Sequence, residues 1–239
     1  MANFNTHLAV GATVSGIAAT TCLTAELAQP QEVMLYFSLG TLGGLLPDLD
    51  SDNSVLLNVI FNLFAVIFAF TAMFSRAGAY SLAELLLIWL ICFLALRFGV
   101  FTIFKRFTHH RGIFHSLPAG VLAWLLVTFV CWKLLKLPDF KSWMCGMFVC
   151  LGYLIHLILD EIYSVDLNNK KIKRSLGTAL KLADLKNVAG SVILYVAIVG
   201  MFLLVPRPTT FFQSVFNQST YSKIERNLLP KNGKWFYMP

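Results

Sequence analysis

Apolar residues run through this chain in long blocks separated by short polar stretches, and the block length is the one a lipid bilayer selects. A helix needs about 20 apolar residues to cross the hydrocarbon core, because nothing there can hydrogen-bond an exposed backbone. Seven blocks approach that length: Leu8 to Ala25, Val33 to Leu46, Val55 to Phe74, Leu85 to Phe104, Ile113 to Trp132, Trp143 to Ile162 and Val188 to Val205. The second is short and carries Gly43, Gly44 and Pro47, so it reads either as a span or as a broken, partly inserted helix lined by protein. The expected fold is all-α, a polytopic helical membrane bundle of about six or seven transmembrane helices.

Composition agrees with that pattern. At 57% hydrophobic and 13% charged residues the chain is too apolar to stay dissolved as a compact domain. No Pro/Gly/Ser-rich linker divides it, which gives one membrane domain over residues 1–205 and a polar, aromatic tail over 206–239, a mixture suited to the headgroup layer. The five cysteines all lie inside apolar runs without the close pairing of thiolate metal sites, and read as small core residues. No Lys or Arg precedes the first block, so that block is expected to be a retained helix instead of a cleaved signal. Within it, Gly11 with Ser15 and Ala12 with Gly16 repeat small residues at helical spacing, as close helix packing in lipid requires.

The polar residues add chemistry. If the chain starts on side X, seven crossings bring the N-terminus, Asp48 to Ser54, Lys105 to Gly112 and Ser164 to Asn187 to that side. All five histidines and a set of aspartates fall there or at the adjoining span ends. His7 precedes the first span, Asp48 and Asp50 close the second, His109, His110 and His115 open the fifth, and His156 with Asp160 lie near the end of the sixth. His156 and Asp160 share one helix face, and an ionisable pair inside an apolar span is costly enough to expect a functional reason. The bland alternative is a hydrogen-bonded His–Asp pair without metal.

Imidazole nitrogen with carboxylate oxygen is the donor set of Zn²⁺ or a similar divalent ion. Asp48 and Asp50 are weighed as ligands ahead of helix caps, whereas Asp52, Asn53 and Ser54 suit capping. His7 joins the set by its placement on side X, although a lone histidine near an N-terminus is commonly just an interfacial side chain. Arg111 offers a planar guanidinium matched to phosphate or carboxylate, or else simply belongs to a basic membrane-flanking loop.

Side X carries nine Lys/Arg: Lys105, Arg106, Arg111, Lys170, Lys171, Lys173, Arg174, Lys181 and Lys186. Side Y has Arg76, Lys133, Lys136, Lys141 and Arg207 near its spans, so the positive-inside rule places X in the cytoplasm. The net charge of +7 could suit nucleic acid, but the excess is concentrated in a loop beside a membrane, where anionic phospholipid is the simpler partner.

At these residues the chain resembles the LexA-regulated type of inner-membrane metal-dependent hydrolase. Four pieces occur in order: His7, then Pro47-Asp48-Leu49-Asp50, then His110-Arg111-Gly112-Ile113-Phe114-His115-Ser116, then Gly152-Tyr153-Leu154-Ile155-His156-Leu157-Ile158-Leu159-Asp160. That family is in turn distantly similar to zinc phospholipases C and single-strand nucleases, helical enzymes with clustered His and Asp ligands that include a His-x-x-x-Asp pair. The resemblance implies a multi-pass protein of the inner (cytoplasmic) membrane and ligands drawn from His7, Asp48, Asp50, His110, His115, His156 and Asp160, with His109 only a neighbour. Ser51-Asp52 stands where some relatives carry a histidine, which leaves the number of ions open.

The implied activity is hydrolysis of a phosphoester such as a phospholipid headgroup, by a water that one or more Zn²⁺-like ions acidify to a pKa of about 7. Arg111 would hold the phosphoryl group, and Asp50 or Glu161 would manage protons. Two other classes compete: a non-enzymatic carrier of metal ions or protons, and a structural or regulatory membrane partner with a hydrogen-bonded polar plug. Carriers tend to place their site at mid-membrane between repeated halves, and no internal repeat is present. The charge bias predicts that Lys170→Cys reacts with a membrane-impermeant maleimide in inside-out vesicles and not in intact cells; labelling in intact cells would reverse the assigned sides.

Overall fold

The computed structural model describes residues 3–50, 62, 65–66, 69–70, 72–73, 80–100, 115–166, 171–172, 180–184 and 187–228. It divides into two compact units, one of Met1–Pro47 with His115–Pro239 and one of Asp48–Phe114.

The first unit is a helical bundle. α1 (Phe4–Thr24) starts where the Asn3 side chain accepts from Thr6 N at 2.8 Å, and α2 (Pro30–Gly43) starts on a capping box in which Glu32 bonds back to Gln29 N at 2.8 Å. Between them the chain reverses at Glu26, whose φ of 60° is left-handed. Bonds from Glu26 N to Leu23 O and from Leu27 N to Cys22 O satisfy the last carbonyls of α1 in a Schellman turn.

α4 (Leu117–Phe129) continues into a five-residue π-helical segment (Val130–Leu134), and α5 (Asp139–Ile162) is the longest helix at 24 residues. A two-residue hairpin pairs β1 (Val165–Asp166) with β2 (Lys171–Ile172). α6 (Val188–Leu204), α7 (Thr209–Val215) and α8 (Gln218–Leu228) complete the unit.

In the second unit, α3 (Leu82–Leu94) begins at a Ser81/Glu84 capping box and runs into a π-helical segment, Ala95–Val100. Trp89 there stacks on Phe93 with ring centroids 5.3 Å apart.

Phe4–Thr24, Leu117–Leu134 and Asp139–Ile162 are long and apolar enough to cross a membrane, and α6 with the bent segment after it makes a fourth candidate. These correspond to the first, fifth, sixth and seventh blocks of the sequence, and the architecture is that of a polytopic helical membrane protein. α2, matching the short second block, has 14 residues. The third block and the end of the fourth lie largely outside the described residues.

α5 is the hub, because its buried face meets α1, α2 and α4. The closest approach is made through glycines. A Cβ on Gly152 of α5 would overlap Gly40 O of α2 and lie 2.6 Å from Gly44 N, and one on Gly43 would overlap Val149 O of α5. On α1 the buried stripe His7, Gly11, Ser15 and Ala19 repeats every fourth residue, with Ser15 against Gly40 and Gly11 against Gly44. Small residues let backbones touch where lipid supplies no hydrophobic force between helices.

At the other end of the unit, Trp124, Trp143 and Phe211 form an aromatic core, and Trp143 Nε1 donates to Pro206 O at 3.1 Å. Gly152→Ala should lower thermal stability in detergent by about 1–3 kcal/mol, the usual cost of overpacking a tight contact. Gly200→Ala, with nothing within 4 Å of the added methyl, should be neutral or stabilising by up to about 1 kcal/mol. Equal effects of the two substitutions would argue against the glycine contact.

Candidate functional site

The helix stripes converge at one end of the first unit. His7 lies in the first turn of α1, while His156 and Asp160 occupy successive turns of α5 four residues beyond Gly152 and eight beyond it. Because α1 and α5 run antiparallel there, the start of one helix meets the end of the other. His7, His156 and Asp160 are 1%, 0% and 6% exposed.

Their contacts are specific. The His7 and His156 rings stack with centroids 3.7 Å apart and an interplanar angle of 11°. His7 Nε2 lies 3.3 Å from Asp160 Oδ1, and His156 Nε2 lies 3.7 Å from Asp160 Oδ2. One ligand atom from each of the three residues lies within 4.8 Å of the others, so a single ion could be shared among them.

The tautomer of His156 follows from its other nitrogen. Nδ1 is 2.8 Å from Gly44 O, and a carbonyl can only accept, so Nδ1 carries the hydrogen. In the neutral ring Nε2 then bears a lone pair on the side of the Asp160 carboxylate. A backbone carbonyl fixing one imidazole nitrogen and leaving the other as donor is the usual outer-shell arrangement of a metal-binding histidine.

Electrostatics sharpen the point. Lone pairs and a carboxylate facing each other in a buried site need a cation or proton between them. Both His7 ring nitrogens are buried and outside hydrogen-bonding geometry with any described group, Nε2 being near Asp160 but misaligned. That orphaned imidazole, next to a carboxylate and a second imidazole, fits a divalent ion of the Zn²⁺ type.

Of the remaining sequence candidates, His115 is brought to the cluster. It is 2% exposed just ahead of α4, with Nε2 4.0 Å from Asp160 Oδ2 and its ring edge-on to His156 at 5.7 Å. Asp48 is half-buried in the 3-10 turn Pro47–Asp50, at the start of the second unit. Asp50 ends that turn, and its side chain lies outside the described residues, as do His109, His110 and Arg111. Glu161 is half-buried, but following Asp160 it leaves α5 about 100° away, off the stripe that carries His156 and Asp160. Gly44 is the participant that sequence reasoning missed, since a backbone carbonyl leaves no mark in a side-chain pattern.

An all-α membrane bundle with a buried His/Asp cluster at one end is the class of protein this geometry defines. The chain belongs to the YdjM inner membrane protein family, whose model matches residues 1–168, a stretch that contains the whole cluster and ends before α6. No curated protein and no solved structure matches it. The inner membrane is therefore its location.

The His156–Gly44 bond predicts that ¹⁵N spectra of the protein at neutral pH show His156 with hydrogen on Nδ1. Finding it on Nε2 alone would contradict the assigned geometry.

Proposed function

We propose that this inner-membrane protein is a metal-dependent hydrolase that holds a divalent ion, of the Zn²⁺ type, between His7, His156 and Asp160. The observation that carries the reading is the convergence of two stacked imidazoles and one carboxylate in a buried site, with His156 oriented by Gly44 O. Such an ion supplies Lewis-acid chemistry, lowering the pKa of water to about 7 and polarising a phosphoryl oxygen.

The chain's own residues do the rest. His7 and His156 would give nitrogen ligands, and Asp160 would bring negative charge that offsets part of the ion's own. His115, at 4.0 Å from Asp160, is placed to hold a proton or to join the ligands. Asp48, Asp50 and His110 are further ligand candidates on the sequence motif. Arg111 would bind the phosphoryl group of a phosphoester, and Asp50 or Glu161 would move protons. A phospholipid headgroup is the favoured substrate, since a site at the ends of membrane helices meets it without extracting the acyl chains, and the basic stretch 170–186 draws anionic lipid. By the charge bias the site faces the cytoplasm.

The near-complete burial of the three central residues favours a second reading, in which the cluster is a structural clasp between α1 and α5. Metal content and turnover separate the two. Protein purified into nanodiscs is expected to carry at least one divalent ion per chain by elemental analysis. His156→Asn keeps a side-chain donor for Gly44 O while removing the ligand, and with Asp160→Asn it should lose metal by about 10-fold or more.

Headgroup release from an anionic phospholipid should fall by about 100-fold or more in the same variants, as expected when an ion worth several kcal/mol to the transition state is lost. Metal without turnover would leave the clasp. Neither metal nor variant-sensitive turnover would defeat the hydrolase reading and leave a metal-free clasp.

A further inference from the structure

The end of the first unit opposite the histidine cluster carries a second organised surface. α6 begins on the cluster side, where the preceding loop is held by Leu117 N donating to Lys181 O at 3.1 Å, and it ends beside Trp143, which donates to Pro206 O. Immediately afterwards the chain turns, so that Thr209–Leu228 runs at 93° to α6. A segment perpendicular to a membrane-crossing helix runs along the membrane plane.

Three contacts fix that segment to the bundle. Phe211 is 1% exposed and packs its ring against Trp124 and Trp143 at 5.8 and 5.9 Å. Lys223 Nζ donates to Glu26 Oε2 at 2.5 Å, and this hydrogen bond holds the Glu26 carboxyl below its ordinary range. Asn227 Nδ2 donates to Thr24 O at 2.9 Å, covering a carbonyl in the last turn of α1. The segment thus bridges from the end of α6 to the end of α1.

What it leaves outward is aromatic. Phe212 and Phe216 stack on each other at 5.9 Å on one side of α7 and are 45% and 63% exposed. Interfacial residues mark the same end of the unit: Lys133 lies 5.4 Å over the Trp132 ring, and Lys141 and Arg207 flank the starts of α5 and α7. Aromatic rings with basic side chains are the signature of the headgroup layer.

We propose that α7 and α8 form a strap that lies in the headgroup layer at this end of the bundle, with Phe212 and Phe216 seated at the headgroup–acyl boundary and Lys223 and Asn227 tying it to α1. Its occupant is the bilayer surface, because the strap continues directly from a crossing helix and its exposed rings lie on the segment that Phe211 holds against Trp124 and Trp143. Arg207 and Arg226 add guanidinium groups suited to headgroup phosphates.

Nitroxide labels on Phe212→Cys, Phe216→Cys, Gln213→Cys and Asn217→Cys in nanodiscs containing anionic lipid test this directly, with the unsubstituted protein as background. Oxygen should relax the labels at 212 and 216 more than a water-soluble nickel chelate does, with the order reversed at 213 and 217. Dominance of the chelate at all four positions, or exclusion of both reagents at 212 and 216, would overturn the proposal. Because replacing Phe212 could disturb the packing at Phe211, the wild-type protein should also be irradiated with a phospholipid carrying a diazirine near its headgroup. Adducts on residues 209–221 are expected; adducts confined to α6 would overturn it as well.

Discussion

The contact on which the rest of the first unit depends is the touching of backbones between α2 and α5. Gly152 sits against Gly40 O and Gly43 against Val149 O so closely that no side chain could intervene at either place. In lipid, helices gain little from burying apolar surface against one another, and close packing of small residues is one of the few forces that sets their separation. The same approach brings Gly44 O within 2.8 Å of His156 Nδ1. A bulkier interface would hold that carbonyl away, and His156 would be free to take the other tautomer.

From that bond the chemistry follows in order. Fixing hydrogen on Nδ1 leaves Nε2 with its lone pair near Asp160, and the α1 stripe, held by Gly11 and Ser15, lays His7 flat on His156. Two imidazoles and a carboxylate are then presented together in a place with almost no water. A membrane protein that assembles such a group carries a desolvation cost, which is the physical ground for proposing the cluster as a site.

Much of this was legible in the sequence, for identifiable reasons. Block length foretold α1, α4, α5 and α6, since the bilayer imposes it. His156 and Asp160 were visible as a pair by helical spacing, and counting crossings put His7 and His115 on their side. The glycines show only half of their role in the sequence: Gly11 and Ser15 announce close packing, whereas Gly43 and Gly44 read as breakers of the second block, and their structural role is to admit α5. The π-helical segments Val130–Leu134 and Ala95–Val100 left no sequence mark. Nor did Phe211, one phenylalanine among several in a polar tail, because its partners Trp124 and Trp143 are distant along the chain. The residues around Arg111, which carry the phosphoester part of the reading, rest on the motif alone.

The proposed centre of the protein is a divalent ion that bridges α1 and α5 through nitrogen and oxygen donors. X-ray absorption at the K-edge of the bound metal tests it most directly. The predicted spectrum has a first shell of nitrogen and oxygen only, with the outer-shell scattering of at least two imidazoles, and loses one imidazole contribution in His7→Ala. A sulfur shell, which would place the metal on the cysteines, or a spectrum unchanged by His7→Ala, would contradict it.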